Sequence, residues 1–112
     1  MSPETAVVRR ILARLRRVCP LDGPVAVRLA AGLVRRGLNG EAALTPDGNR
    51  RIRVQRGLDA DVLCDTLIHE WAHLFAWDLH PSRDIEEHGA EWGHAFAEVY
   101  TAYWREAARP RK

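Results

Sequence analysis

Residues 59–77 read DADVLCDTLIHEWAHLFAW. Asp59 or Asp61 suits the start of a helix, because acids favour the positive end of the helix dipole. Val62, Leu63, Leu67, Ile68 and Leu74 carry the helix on to about Trp77. Their apolar side chains cover most of the circumference, the pattern of a helix at the centre of a domain. Inside it His69, Glu70, Trp71, Ala72 and His73 form an HExxH pentapeptide. Residues four apart share one helical face, so both imidazoles point at one place. Neutral imidazole binds zinc at roughly 2.0–2.1 Å, and zinc lowers the pKa of a bound water towards about 7. Glu70, beside the first histidine, is placed to take a proton from such a water. Five His and eight Glu scattered at random would produce the pattern on the order of one per cent of the time. A zinc site is therefore the stronger reading of HEWAH.

The flanks supply the rest of a small α+β domain. Ser2 is a suitable N-cap, Pro3 a suitable first helical residue, and Glu4 suits the first turn. Val8, Ile11, Leu12, Leu15 and Val18 then recur at helical spacing, with Arg9, Arg10, Arg14, Arg16 and Arg17 outward. Cys19-Pro20 and Asp22-Gly23-Pro24 end that helix. Strands are expected at 25–30, 41–45 and 51–55, the last two joined through the turn residues Pro46, Asp47, Gly48 and Asn49. Residues 78–84 read as a polar connection, and a last amphipathic helix runs from about Gly89 to Ala108. Trp71, Trp92 and Trp104 are expected to pack the core. Residues 1–112 are read as a single domain.

A catalytic zinc keeps three protein ligands and an open position. Candidates for the third are His80, His88, Glu91 and His94. The metzincin spacing is excluded, since Ala76 and Leu79 stand where its glycine and histidine would fall. His88, followed by Gly89 at the head of the last helix, can project towards the histidine pair and ranks first. Glu91 ranks next. His94 lies deeper in the helix and His80 lies in the connection. Asp65, four residues before His69, can orient an imidazole from behind.

HEWAHLFAW at 69–77, followed by EEHGAEW at 86–92, resembles the SprT-like metallopeptidase family. The family's pattern is HExxH, a short connection, then HGxxF or HGxxW. His69, Glu70, His73, His88, Gly89 and Trp92 match it, and Trp77 matches an aromatic found after HExxH in relatives. The resemblance covers roughly residues 24–100. It implies a zincin-like α+β fold, Zn2+ held by His69, His73 and His88, and Glu70 as general base. It further implies a zinc-dependent endopeptidase acting on protein or peptide. Many members continue into a zinc ribbon or another DNA-binding module; this chain shows no Cys cluster and resembles a minimal form. Zincins commonly take substrate along an edge strand, here 51–55 or its hairpin partner, where Arg51 and Arg53 would bias the cleft.

Composition and charge frame these expectations. Hydrophobic residues make up 46% and charged residues 29% of the chain, ordinary for a globular protein. No run of about 18 apolar residues exists to span a membrane. The N-terminus lacks the apolar core of a signal peptide, so a cytoplasmic location is expected. Cys19 and Cys64 form no CxxC pair and read as small buried side chains. Net charge is +2, but residues 1–56 set 12 Arg against four acids, and residues 57–112 set five bases against 11 acids. The basic half suits contact with DNA. The competing function is a DNA- or protein-binding module with a structural or vestigial zinc, against which Glu70 speaks, because a structural site needs no base.

Overall fold

The computed structural model describes residues 2–45, 48–80 and 88–109. Helix α1 spans Pro3–Val18, strand β1 Val25–Ala30, β2 Gly40–Leu44 and β3 Arg50–Gln55. Helix α2 spans Ala60–Leu79 and α3 spans Ala90–Ala107, and a 3-10 turn at Leu33–Arg36 lies between β1 and β2. This is the expected mixed α+β order. The Ser2 hydroxyl accepts a hydrogen bond from the Thr5 amide at 3.1 Å, with Pro3 opening the helix. Val8, Ile11, Leu12 and Leu15 are buried, while Arg9, Arg10, Arg16 and Arg17 face solvent.

The sheet order is β1-β3-β2, with β1 parallel and β2 antiparallel to β3. The chain passes from β1 through the 3-10 turn to the outer position, then returns by a hairpin into the middle. The sequence left 51–55 and its partner equally eligible as the edge; β3 is central and β2 is the edge. The reason is burial: Ile52 and Val54 are the fully buried pair of the sheet, and a strand flanked on both sides covers them best. Their pleat neighbours Arg51 and Arg53 point to the other face, across from Ala26 and Arg28 of β1. Arg51 is exposed there. Arg53 is bound to Glu41 of β2, with Nε 2.6 Å from the carboxylate and Nη2 also against it. Neither arginine sits on the edge strand. Of the hairpin turn, Pro46 and Asp47 lie outside the described residues.

Helix α2 lies across the inner face of the sheet and is covered by α1 and α3. Leu67, Ile68, Trp71, Ala72 and Leu74 have no exposure. Trp71 donates its indole N–H to the Cys19 carbonyl at 2.8 Å, tying the middle of α2 to the end of α1. Trp71 alone of the three tryptophans is fully in the core. Trp92 is half-buried, and Trp104 is 40% exposed, because its position on α3 has turned away from α1 and α2. Both cysteines are buried and free, as read from the sequence. Burial, with help from Glu98, pushes the Cys19 thiol up to about 11, which leaves it unreactive. Among the described residues no helix is long and apolar enough to cross a membrane.

Asp78 departs from its expected place in a connection: it sits in the last turn of α2. An acid there opposes the helix dipole. Its carboxylate is held by Arg50 of β3, with Nη2 at 2.5 Å and Nε at 3.1 Å, and accepts the Asp22 amide at 2.7 Å. One side chain thus joins the end of α2, the start of β3 and the turn before β1. The remainder of the connection, 81–87, lies outside the described residues. Asp78→Ala leaves the Arg50 guanidinium, only 14% exposed, without its partner. The expected loss is about 3 kcal/mol, read as a lower urea midpoint at unchanged m-value. A loss under about 0.5 kcal/mol would contradict this account of the pair.

Candidate metal centre

His69, Glu70 and His73 occupy the third turn of α2 onward, at the only stretch of that helix where polar side chains enter its buried surface together. Glu70 is 6% and His73 8% exposed; His69 is half-buried. The third member arrives from α3. His88 stands just before Gly89, the N-cap of that helix, with φ at +59°. A non-glycine residue in this left-handed region costs on the order of 1 kcal/mol or more. The bend turns the imidazole back towards α2.

The three rings form a nearly equilateral triangle, with centroids 5.0 Å apart for His69–His73, 4.9 Å for His69–His88 and 5.0 Å for His73–His88. One nitrogen from each falls within 4.8 Å of the other two, and the Nε2 atoms of His69 and His88 are 3.0 Å apart. Nitrogens bound to one tetrahedral zinc ion at roughly 2.0–2.1 Å would stand roughly 3.3–3.4 Å from one another. Two imidazole lone pairs cannot face each other at 3.0 Å without a proton or a cation between them. Burial, and then the neighbouring His69 and His88, push the His73 imidazole down from 6.5 to about 4. His73 is therefore neutral at neutral pH, the form that binds a metal. The donor set fits a metal ion.

Of the other ligand candidates, His80 is the C-cap of α2, Glu91 lies half-buried in the first turn of α3, and His94 is exposed on α3. None belongs to the group of three, the one such group found among the described residues. Asp65 is exposed, on the rim of the cleft.

Trp92 forms a wall for all three histidines. Its ring stacks on His73 at 5.3 Å and 30°, and lies 4.7 Å from His88 and 4.9 Å from His69. Packing of this kind restricts how the rings can turn. In front of them lies a cavity of about 390 Å³ bordered by Arg36, Glu41, Trp77 and Trp92. A second hollow of about 350 Å³ continues past Glu70 between residues 37–40 and Val62, Asp65 and Thr66. Together they make a groove along the β2 edge, with Glu70 at its middle.

Gly40 was not picked out from the sequence, yet it sets the groove's depth. A Cβ there would meet Thr66 Cγ2 at 2.7 Å, and Arg53 O and Glu70 Cγ at 3.2 Å. The edge strand can lie this close to Glu70 only because the residue has no side chain. The signal was available: Gly40 and Ala42 alternate as the two small residues on the inward face of β2. The Arg36–Glu41 ion pair at 3.2 Å also escaped the sequence reading, as it depends on the 3-10 turn.

A mixed α+β domain with three histidines able to hold a metal beside a buried glutamate is what the fold and site define. The chain belongs to the SprT-like family, whose model matches residues 27–110. The match takes in most of the sheet, α2 and α3, and leaves α1 outside. No curated protein matches the chain.

Gly40→Ala should destabilise the chain by about 1–3 kcal/mol through the contacts above. Gly93→Ala is the control, since its Cβ would meet nothing within 4 Å and alanine favours helix. Urea unfolding of both variants reads the difference, and a Gly40→Ala chain as stable as Gly93→Ala would contradict the close approach.

Proposed function

We propose that this chain is a zinc-dependent endopeptidase. His69, His73 and His88 hold the metal and Glu70 is the general base. One observation carries the reading: three converging imidazole nitrogens stand beside a buried carboxylate in a groove that follows the β2 edge, which pairs with no other strand among the described residues. Structural zinc sites are closed by four protein ligands and need no base. Among the described residues the group has three nitrogens, one fewer than a closed site, and Glu70 lines both hollows of the groove.

Zinc bound there supplies Lewis acidity and lowers the pKa of water towards about 7. The chain's own residues do the remaining work. The outer edge of β2 offers backbone N–H and C=O groups to an extended polypeptide, which adds to the sheet as a further strand. Gly40 lets that strand and its guest approach Glu70. The Glu70 carboxylate takes the proton of the attacking water and delivers it to the leaving nitrogen. Trp92 holds the imidazoles and keeps bulk water from that side of the site. The substrate is protein or peptide, in a flexible or unfolded segment able to enter the groove as a strand.

The Arg-rich half supports a second partner. Arg28 and Arg51 on the open sheet face, with Arg9, Arg10, Arg16 and Arg17 on α1, are all exposed. They suit contact with the phosphates of DNA near which a protein substrate is bound. Two buried free thiols fit a reducing compartment, in keeping with the cytoplasm.

Glu70→Gln is isosteric and leaves the three histidines untouched. The variant should bind zinc as the parent does and lose hydrolysis of an unfolded protein by about 10²-fold or more. Undiminished hydrolysis in a zinc-loaded Glu70→Gln chain would remove Glu70 from the mechanism. A zinc-loaded parent that cleaves no unfolded protein would leave the binding-module reading in its place.

A further inference from the structure

Trp92, Phe96, Tyr100 and Trp104 stand at intervals of four along α3. That spacing sets them on one slowly turning stripe of the helix. Their rings meet in series: Trp92 and Phe96 stack at 5.0 Å, Phe96 and Tyr100 lie 5.7 Å apart, and Tyr100 and Trp104 lie 6.2 Å apart. One end of the stripe is the tryptophan that packs on the three imidazoles. At the other end Tyr100 is 44% and Trp104 40% exposed. The fold does not need this outer half, because Ala95, Val99 and Tyr103 already fill the core-facing side of α3.

Charge decides what the stripe can hold. Its exposed flanking residues on α3 are Gly93, Ala97, Thr101 and, beside Trp104 at the far end, Arg105, the one charge in that row. On α2 the cleft before His69 is lined by Val62, Thr66 and Asp65, which adds an acid and no base. A nucleic-acid strand stacked on such rings needs cations along its backbone; beside these rings stands one, Arg105, at the far end, and Arg17 of α1, which reaches α3, is paired with Glu106. Aromatic and large apolar side chains need no counter-charge and gain from leaving water.

We propose that the α3 stripe extends the cleft. Phe96, Tyr100 and Trp104 take aromatic and large apolar side chains of the polypeptide as it leaves the metal centre. The substrate class is then unfolded polypeptide rich in such residues, which a folded protein keeps inside. This inference rests on the peptidase reading, but its test reads binding and not turnover.

The zinc-loaded Glu70→Gln chain is titrated, by fluorescence anisotropy, into three labelled probes. They are an unstructured peptide of about 20 residues carrying Phe and Trp, the same peptide with Ser at those positions, and oligothymidine. The aromatic peptide should bind most tightly of the two peptides. Tyr100→Ser with Trp104→Ser should weaken it about tenfold, and Trp104→Ser alone should weaken it less, with zinc content unchanged in both. Oligothymidine affinity should stay the same. Equal affinity of parent and double variant for the aromatic peptide, or no preference for it over the Ser peptide, overturns the proposal. So does a loss confined to oligothymidine, which would assign the stripe to nucleic acid. If the aromatic peptide binds as stated but the Glu70 chain never cleaves it, the peptidase reading fails while the stripe stands as a binding surface.

Discussion

Three imidazoles brought to one point, two of their nitrogens 3.0 Å apart, are the constraint on which the rest of the molecule turns. Burying polar groups is costly, and here Glu70 and His73 are buried on one helix within a turn of each other. That burial opposes stability, and the His69 and His88 nitrogens 3.0 Å apart need a proton or a cation between them. The left-handed backbone at His88 adds to the opposing side. A cation held by the three imidazoles would offset these costs together.

Holding that geometry requires that α2 neither slide nor roll. Trp71 fixes it against α1 through the Cys19 carbonyl. Arg50 and Asp78 pin its end to the central strand, and Gly40 lets the edge strand close onto Thr66 and Glu70. These restraints come from three directions, on residues far apart in sequence. Among the described residues the outer edge of β2 pairs with no other strand, and there the groove runs past Glu70. A rigid floor with one free strand edge suits a guest that is itself extended.

Much of this was legible in the chain of residues. The helix from Asp59 or Asp61 to about Trp77, its histidine pair and the neighbouring glutamate follow from spacing alone, because four residues make a turn wherever the helix lies. The parallel pairing of β1 with β3 did not follow, since period-two alternation marks a strand but not its neighbours. For the same reason β3 was eligible as an edge until the burial of Ile52 and Val54 placed it in the middle. Asp78 looked like loop because its value lies in Arg50, 28 residues away. Trp104 looked like core because an aromatic at helical spacing usually is; only the position of α1 and α2 shows that α3 has turned it outward. His88 ranked first among four ligand candidates, and the geometry groups it with His69 and His73 while leaving His80, Glu91 and His94 outside.

The molecule has two surfaces of different character. One is the arginine-bearing outer face of the sheet, the other the aromatic stripe of α3, and the three histidines lie beside the second. The proposed chemistry rests on a metal at the three histidines, so the most direct measurement is zinc content by elemental analysis of metal-replete protein, parent beside His88→Ala. The expected result is about one zinc per parent chain, with affinity weakened by more than about 100-fold in the variant. A parent chain without zinc, or a His88→Ala chain that keeps it undiminished, would contradict the three-histidine centre.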